Sequence, residues 1–302
     1  MQLDLNRPPP RVVLNEVGPR DGFQNLPQIL DTGLKLEIIV GLAEAGLREI
    51  QVTSFVHPAK VPQMADAEAV VAGLPRLEGL SYSALVLNRR GVERAAAAGI
   101  DTVEVSLSVN DGHSRANTGM DRRRALAEGC RMLRHARNAG LKTIASLQCA
   151  FGYRAPEDFD PHRVAAAARV LLAEEPERFT LCDTAGMADP GRIVAVLDAV
   201  APLAGDIPLA LHLHDTRGLG LVNLFTGLCR GVVHFDTALG GMGGCPFIPG
   251  AAGNLSTEEA VFFLDRLGVA TGVDIAALSR LSRRLESVCA ARFSGRLHRL
   301  TP

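Results

Sequence analysis

The chain lacks the features that would place it in several large classes. No apolar run approaches the roughly 18 residues that a membrane-crossing helix needs. Net charge is −1, with 32 Lys and Arg against 33 Asp and Glu, so no surplus of one sign points to nucleic acid or an anionic membrane as partner. The arginine groups "DRRRAL" and "LSRRL" sit in helical patterns and read as solvated faces. The six cysteines, at 130, 149, 182, 229, 245 and 289, form no CxxC pair and no small secreted frame, which fits reduced thiols. The start "MQLDLNRPPPR" has neither the apolar run of a signal peptide nor an Arg-rich, acid-free transit pattern, and "RLTP" is not a peroxisomal tripeptide. The expected location is therefore cytoplasmic. Low-complexity tracts, Pro/Ser-rich linkers and breaks in composition are missing too.

What is present is material for a large core: 302 residues, 47% hydrophobic, with 30 glycines, a length that barrels commonly use as one domain. Short β-rich runs recur at 11–18, 47–56, 80–87, 101–109, 141–152, 178–186, 207–216 and 231–241. Between them lie segments with helical periodicity, such as "TGLKLEIIVGLAEAG" and "DRRRALAEGCRMLRHARNAG", each ending at a glycine suited to a C-cap. Eight strand–helix alternations at a spacing of roughly 30 residues predict a (β/α)8 TIM barrel before a doubly wound sheet. The expectation is a single catalytic domain over 1–302, with the barrel at about 11–268 and an extra C-terminal helix within 270–302.

The segment "LHLHDTRG" (211–218) places two histidines where a buried strand would ordinarily carry apolar residues. Side chains alternate along a strand, so His212 and His214 share a face, their α-carbons about 6.5 to 7 Å apart. Two imidazoles on one face followed by an acid favour a metal over hydrogen-bonded core histidines. In such barrels chemistry sits at the carboxyl ends of the strands. There the sequence places "EVGPRDGFQN", "QVTSF", "CDTAG", "HLHDT" and "GGMGGCPFIPGAAGN". Arg20 beside Asp21 could be an exposed ion pair of little weight. Its place across from the histidines favours Asp21 as a carboxylate ligand, with Arg20 free to donate to a developing oxyanion. A neutral oxygen such as the Asn254 amide completes a mixed N/O set that suits Mg²⁺ or Mn²⁺ and also tolerates Zn²⁺.

Further signals lie outside the metal set. Cys245 follows a run of glycines and precedes Pro246, so it reads as an accessible thiol able to give or take a proton rather than a small buried hydrophobe. The same glycines could cradle a phosphate, but no GK[ST] follows them. Asp183 either orients a ligand or caps the next helix, and His113, in a polar loop, reads as a surface histidine.

The motifs "EVGPRDGFQN", "TSFVHPAKVPQM", "LHLHDT" and "GGMGGCPFIPGAAGN" resemble, in order and over nearly the whole chain, those of the 3-hydroxy-3-methylglutaryl-CoA lyase family. The Arg-Asp pair and the HxH mark a wider group of metal-dependent lyase and aldolase barrels; the cysteine loop is narrower. The resemblance implies that Asp21, His212, His214 and Asn254 hold Mg²⁺ or Mn²⁺. It places Arg20 on the thioester or enolate oxygen and Cys245 on a loop as proton donor or acceptor, with Asp183 as a further acid-base or orienting group. Gln51 and Ser54 then contact an acyl-CoA thioester substrate, and a homodimer is the implied assembly. The implied reaction is retro-Claisen cleavage to acetyl-CoA and acetoacetate.

One position departs from that pattern: Gln51 stands in "QVTSF" where the family has "ETTSF" or "EVTSF". An amide cannot ionise, so a related branched 3-hydroxyacyl-CoA is an alternative substrate. A synthase joining acetyl-CoA to a 2-oxo acid usually reads "LRDGEQ" and carries a regulatory region. A biotin-dependent carboxyltransferase needs a lysine near the metal, whereas Lys142 begins strand five. A metal-stabilised scaffold would not need arginine, cation and thiol to converge from separate strands.

Overall fold

The computed structural model describes residues 9–244 and 253–300. Eight strands alternate with helices: β1 Val13–Glu16, β2 Glu49–Ser54, β3 Ser81–Val86, β4 Thr102–Ser108, β5 Lys142–Gln148, β6 Arg178–Cys182, β7 Leu209–His212 and β8 His234–Thr237. Each falls inside a run expected from the sequence. Neighbours pair in parallel in chain order, and β1 also pairs with β8, closing a (β/α)8 barrel. The strands are buried on both faces, as parallel strands are when helices cover their outer side.

The helices follow local rules. Thr32–Glu44 starts at Asp31, whose carboxylate accepts from the Leu34 N–H, and Arg122–Asn138 starts at Asp121, which accepts from Arg124. The glycines expected just beyond them, Gly46 and Gly140, have φ of +105° and +81°, a backbone region that strongly favours glycine there. The C-terminal helix, Ile275–Cys289, packs on Thr32–Glu44. Their approach is close: a Cβ on Gly41 would lie 2.8 Å from Leu281.

Two stretches differ from the expected strands. Strand β1 stops at Glu16, and Gly18–Gly22, "GPRDG", forms a single turn of π-helix. The Glu16 carboxylate accepts the Gly18 N–H at 2.8 Å and so pulls the chain out of extended conformation. Likewise β7 ends at His212, and His214 lies just past it in an isolated antiparallel bridge with Asn254. Lys142 lies at the amino ends of the strands with Glu49, Arg178 and His234, as its position at the start of strand five foretold.

Candidate active site

The carboxyl ends of the strands surround a cavity of about 690 Å³, lined among others by Arg20, Asp21, Glu104, His212 and His214. The π-turn after β1 delivers Asp21 to this cavity and the end of β7 delivers the histidines. Ligand atoms of Asp21, His212 and His214, all buried, lie within 4.8 Å of one another. The Nε2 atoms of the two histidines face each other at 3.2 Å, and His212 Nε2 stands 4.0 Å from Asp21 Oδ2.

The donor chemistry suits a divalent cation. His212 Nδ1 lies 3.2 Å from Asp236 Oδ2; with the proton on Nδ1, its Nε2 lone pair is free for an ion. Asn254 donates its Nδ2 to Asp21 Oδ2 at 2.7 Å and to the Met242 carbonyl at 2.8 Å. Its Oδ1 is buried with no partner at hydrogen-bond geometry, His214 being the neighbouring side chain that interacts with this amide, and so it is available to a ligand. Two imidazole nitrogens, a carboxylate and this amide oxygen make a hard-to-borderline N/O set without sulfur. Gly243 abuts the set: at φ +105° it lies where a Cβ would meet Asn254 Nδ2 at 2.3 Å and Asp21 Oδ2 at 3.1 Å.

Electrostatics favour the ligand forms of Asp21 and His214 but not that of His212. Burial works to raise the Asp21 pKa, but Arg20 and the two histidines hold it below the usual carboxylate value. Burial, reinforced by the neighbouring His212, pushes His214 down to about 4, which keeps its imidazole neutral. For His212 burial is outweighed by Asp236 and Asp21, which raise its pKa.

Arg20 is buried rather than exposed, at 8% accessibility. Its Nη1 donates to Asp21 Oδ1 at 2.6 Å and its Nε to Gln51 Oε1, so the pair is internal to the site. Among the described residues Nη2 has no partner.

Asp183 directly follows β6, but it does not cap the next helix. That role belongs to Asp189, which accepts from Arg192. Asp183 Oδ1 instead accepts the Met187 and Ala188 N–H groups at 2.7 and 2.9 Å, while Oδ2 is buried without a partner. Burial outweighs those bonds and lifts its pKa to about 7. The neighbours Cys182 and Thr184 line the cavity. Ser54 is fully buried with an unpaired hydroxyl and Gln51 is fully buried beside Arg20. Cys245 lies outside the described residues. His113, expected on the surface, is 2% accessible and lines the cavity, its pKa pushed to about 4 by burial and then Arg154.

Several residues that shape the site escape the motif reading. Asp236 braces His212 and in turn accepts from Asn15 at 2.8 Å; an acid at the inward position of "HFDT" was the available signal. Glu104 accepts from Gln51 and Ser146. Glu16 receives the N–H groups of Gly18 and Leu239 and the Thr257 hydroxyl. Glu258 receives the Gly240 N–H and the hydroxyls of Ser256 and Ser282. The C-terminal segment also clamps the loop after β8: Gly295 N donates to Gly240 O at 2.8 Å, and Ser294 Oγ to Gly241 O at 2.7 Å.

A closed parallel barrel with a His–His–Asp group able to hold a cation at the carboxyl ends of its strands defines the class, a (β/α)8 barrel with a candidate metal site. Within it the chain belongs to the HMGL-like family, whose model matches residues 11–285. The chain is 37% identical over 278 residues to a hydroxymethylglutaryl-CoA lyase of Bacillus subtilis (strain 168), covering 92% of this chain and 93% of that protein. It is also 37% identical over 277 residues to the (R)-citramalyl-CoA lyase of Chloroflexus aurantiacus, covering 88% and 87%. The crystal structure of hydroxymethylglutaryl-CoA lyase from Pseudomonas aeruginosa superposes with a TM-score of 0.92 at 34% identity, covering 97% of this chain and 98% of that one.

Proposed function

We propose that this protein is a divalent-metal-dependent carbon–carbon lyase that cleaves 3-hydroxy-3-methylglutaryl-CoA to acetyl-CoA and acetoacetate. The observation that carries the reading is the convergence of Asp21, His212 and His214 beside Arg20 in one cavity, with Asn254 one hydrogen bond away on Asp21. We infer that these four ligands hold Mg²⁺ or Mn²⁺. When bound, such an ion supplies Lewis-acid polarisation of substrate oxygens.

The remaining work falls to side chains. A base takes the proton of the C3 hydroxyl; the C2–C3 bond breaks with its electron pair going to C2, and C3 becomes the ketone of acetoacetate. Asp183, with its pKa near 7 and a free Oδ2, suits this proton transfer or the orientation of the group that performs it. Arg20 offers Nη2 to the enolate oxygen that develops on the acetyl-CoA fragment. Cys245 then protonates C2. Gln51 and Ser54, expected to contact substrate, are fully buried and do not line the cavity, so Gln51 bears on the substrate through Arg20. The chain acts in this reading as one catalytic domain over 1–302, cytoplasmic and a homodimer, with no nucleic acid or membrane partner. Among the described residues no helix is long and apolar enough to cross a membrane.

A second reading has its own support. The amide at 51 makes a related branched 3-hydroxyacyl-CoA the alternative substrate, and the chain is as similar to a citramalyl-CoA lyase as to a hydroxymethylglutaryl-CoA lyase, 37% in each case. One assay decides: acetyl-CoA release from 3-hydroxy-3-methylglutaryl, longer 3-alkyl and citramalyl thioesters with Mg²⁺ or Mn²⁺, with and without EDTA, and with no 2-oxo acid. Cation-dependent release supports a lyase and the best thioester names its substrate. No release from any thioester with either ion sinks the proposal.

A further inference from the structure

We propose that Glu104 is a positioning residue for Arg20, acting through Gln51. This rests on the lyase reading above. Three buried contacts form a line across the floor of the cavity: Arg20 Nε donates to Gln51 Oε1, Gln51 Nε2 donates to Glu104 Oε2 at 2.5 Å, and Ser146 Oγ donates to Glu104 Oε1 at 2.6 Å. The line crosses from the turn after β1 through β2 and β4 to β5. Accessibility is 8% at Arg20, 0% at Gln51 and 4% at Glu104.

Chemistry fixes the direction of every bond in the line. A guanidinium only donates and an ionised carboxylate only accepts, so the amide between them has one orientation that satisfies both. Its oxygen must face Arg20 and its nitrogen Glu104. A cation and an anion thereby interact through a neutral amide whose dipole is aligned with both, a charge-assisted chain in a region of low dielectric. The consequence at the cavity is geometric. With Nε held by Gln51 and Nη1 by Asp21, the guanidinium plane is pinned at two points, and Nη2 together with the second N–H of Nη1 remains to donate to substrate. Glu104 touches neither Asp21 nor the histidines through any of these bonds. Glu104 itself lines the cavity, and its hydrogen-bonded route to the arginine runs by way of residue 51.

The test is a cycle of four chains: wild type, Gln51→Glu, Glu104→Gln and the double variant, each assayed for kcat and KM at saturating Mn²⁺ on the best thioester and for Tm. Gln51→Glu sets two carboxylates against each other where an amide now bridges. Glu104→Gln keeps the shape of the line but removes its charge. We expect each single change to lower kcat about 10-fold or more, with KM within about twofold, because Arg20 acts on charge that develops during reaction. The double variant moves the carboxylate to 51, where it accepts from both Arg20 and the new amide at 104. It restores kcat to within about threefold of wild type, a strong coupling between neighbours. A double variant no better than the worse single, or Gln51→Glu as active as wild type, overturns the inference. A cycle in which Tm moves and kcat does not makes Glu104 scaffold only, and also overturns it. A wild type that cleaves no thioester rejects the lyase reading before any variant is compared, so the two failures are distinct.

Discussion

At the scale of single residues, the most informative atom is the orphaned Oδ1 of Asn254, because its own nitrogen is committed to Asp21 and to the Met242 carbonyl. The next is Asp236 Oδ2, which sets the His212 tautomer. Replacing Asp236 with Asn weakens that constraint without changing volume, so we expect Mn²⁺ affinity to fall about 10- to 100-fold, measured by titration calorimetry. Arg20→Gln should lower kcat by roughly 10²- to 10³-fold while Mn²⁺ affinity changes little, since the arginine contacts a ligand but is not one. The primary donors were legible in the sequence because i, i+2 histidines on a strand and an acid at a strand end are local signals. Their supports were not. Asp236 meets Asn15 across 221 positions of chain and Gln51 meets Glu104 across 53; only the strand register brings these together.

At the scale of elements, the strands were readable because each is a β-rich run buried on both faces, and the helices because caps and glycines punctuate them. The π-turn Gly18–Gly22 was not, since it depends on a carboxylate two residues upstream that also reaches Leu239 and Thr257. The reading of Asp183 as a helix cap failed for a related reason: Asp189, six positions on, holds that helix. Glu16 carries a pH signature. Burial raises its pKa from 4.5 to about 8, so between those values the unfolded chain releases a proton that the folded chain retains. Its contribution to stability is complete below about pH 4.5 and lost as pH rises through about 8, with a slope of at most about 1.4 kcal/mol per pH unit. Gln at this position keeps an acceptor for the two N–H groups and offers its own N–H₂ to Thr257. In urea melts between pH 5 and 8.5, Glu16→Gln should therefore gain on the wild type steadily as pH increases; parallel curves would refute the burial account.

At the scale of the whole molecule, the C-terminal segment is part of the site's support. It donates to the backbone of Gly240 and Gly241 through Gly295 and Ser294, and to Glu258 through Ser282. Gly240 and Gly241 open the segment that leads through Gly243, where any added Cβ would run into Asn254 and Asp21. Deleting 291–302 while keeping the helix Ile275–Cys289 should thus cost about 10- to 100-fold in Mn²⁺ affinity, an outer-support effect. Far-UV circular dichroism should show the barrel intact. The sequence announced an added helix but gave no hint of this clamp, in which one backbone N–H and two serine hydroxyls act as donors.

Closure of the barrel has one more consequence. The acid that would grip the cation belongs to the first strand–helix unit, and the amide beside it is 233 positions later. A nascent chain still emerging from the ribosome would hold neither the full donor set nor the seam between first and last strands, so it would leave the cell's pool of free divalent ions untouched. Ion capture is in this sense a completion signal: it arrives only when the ring has been sewn shut.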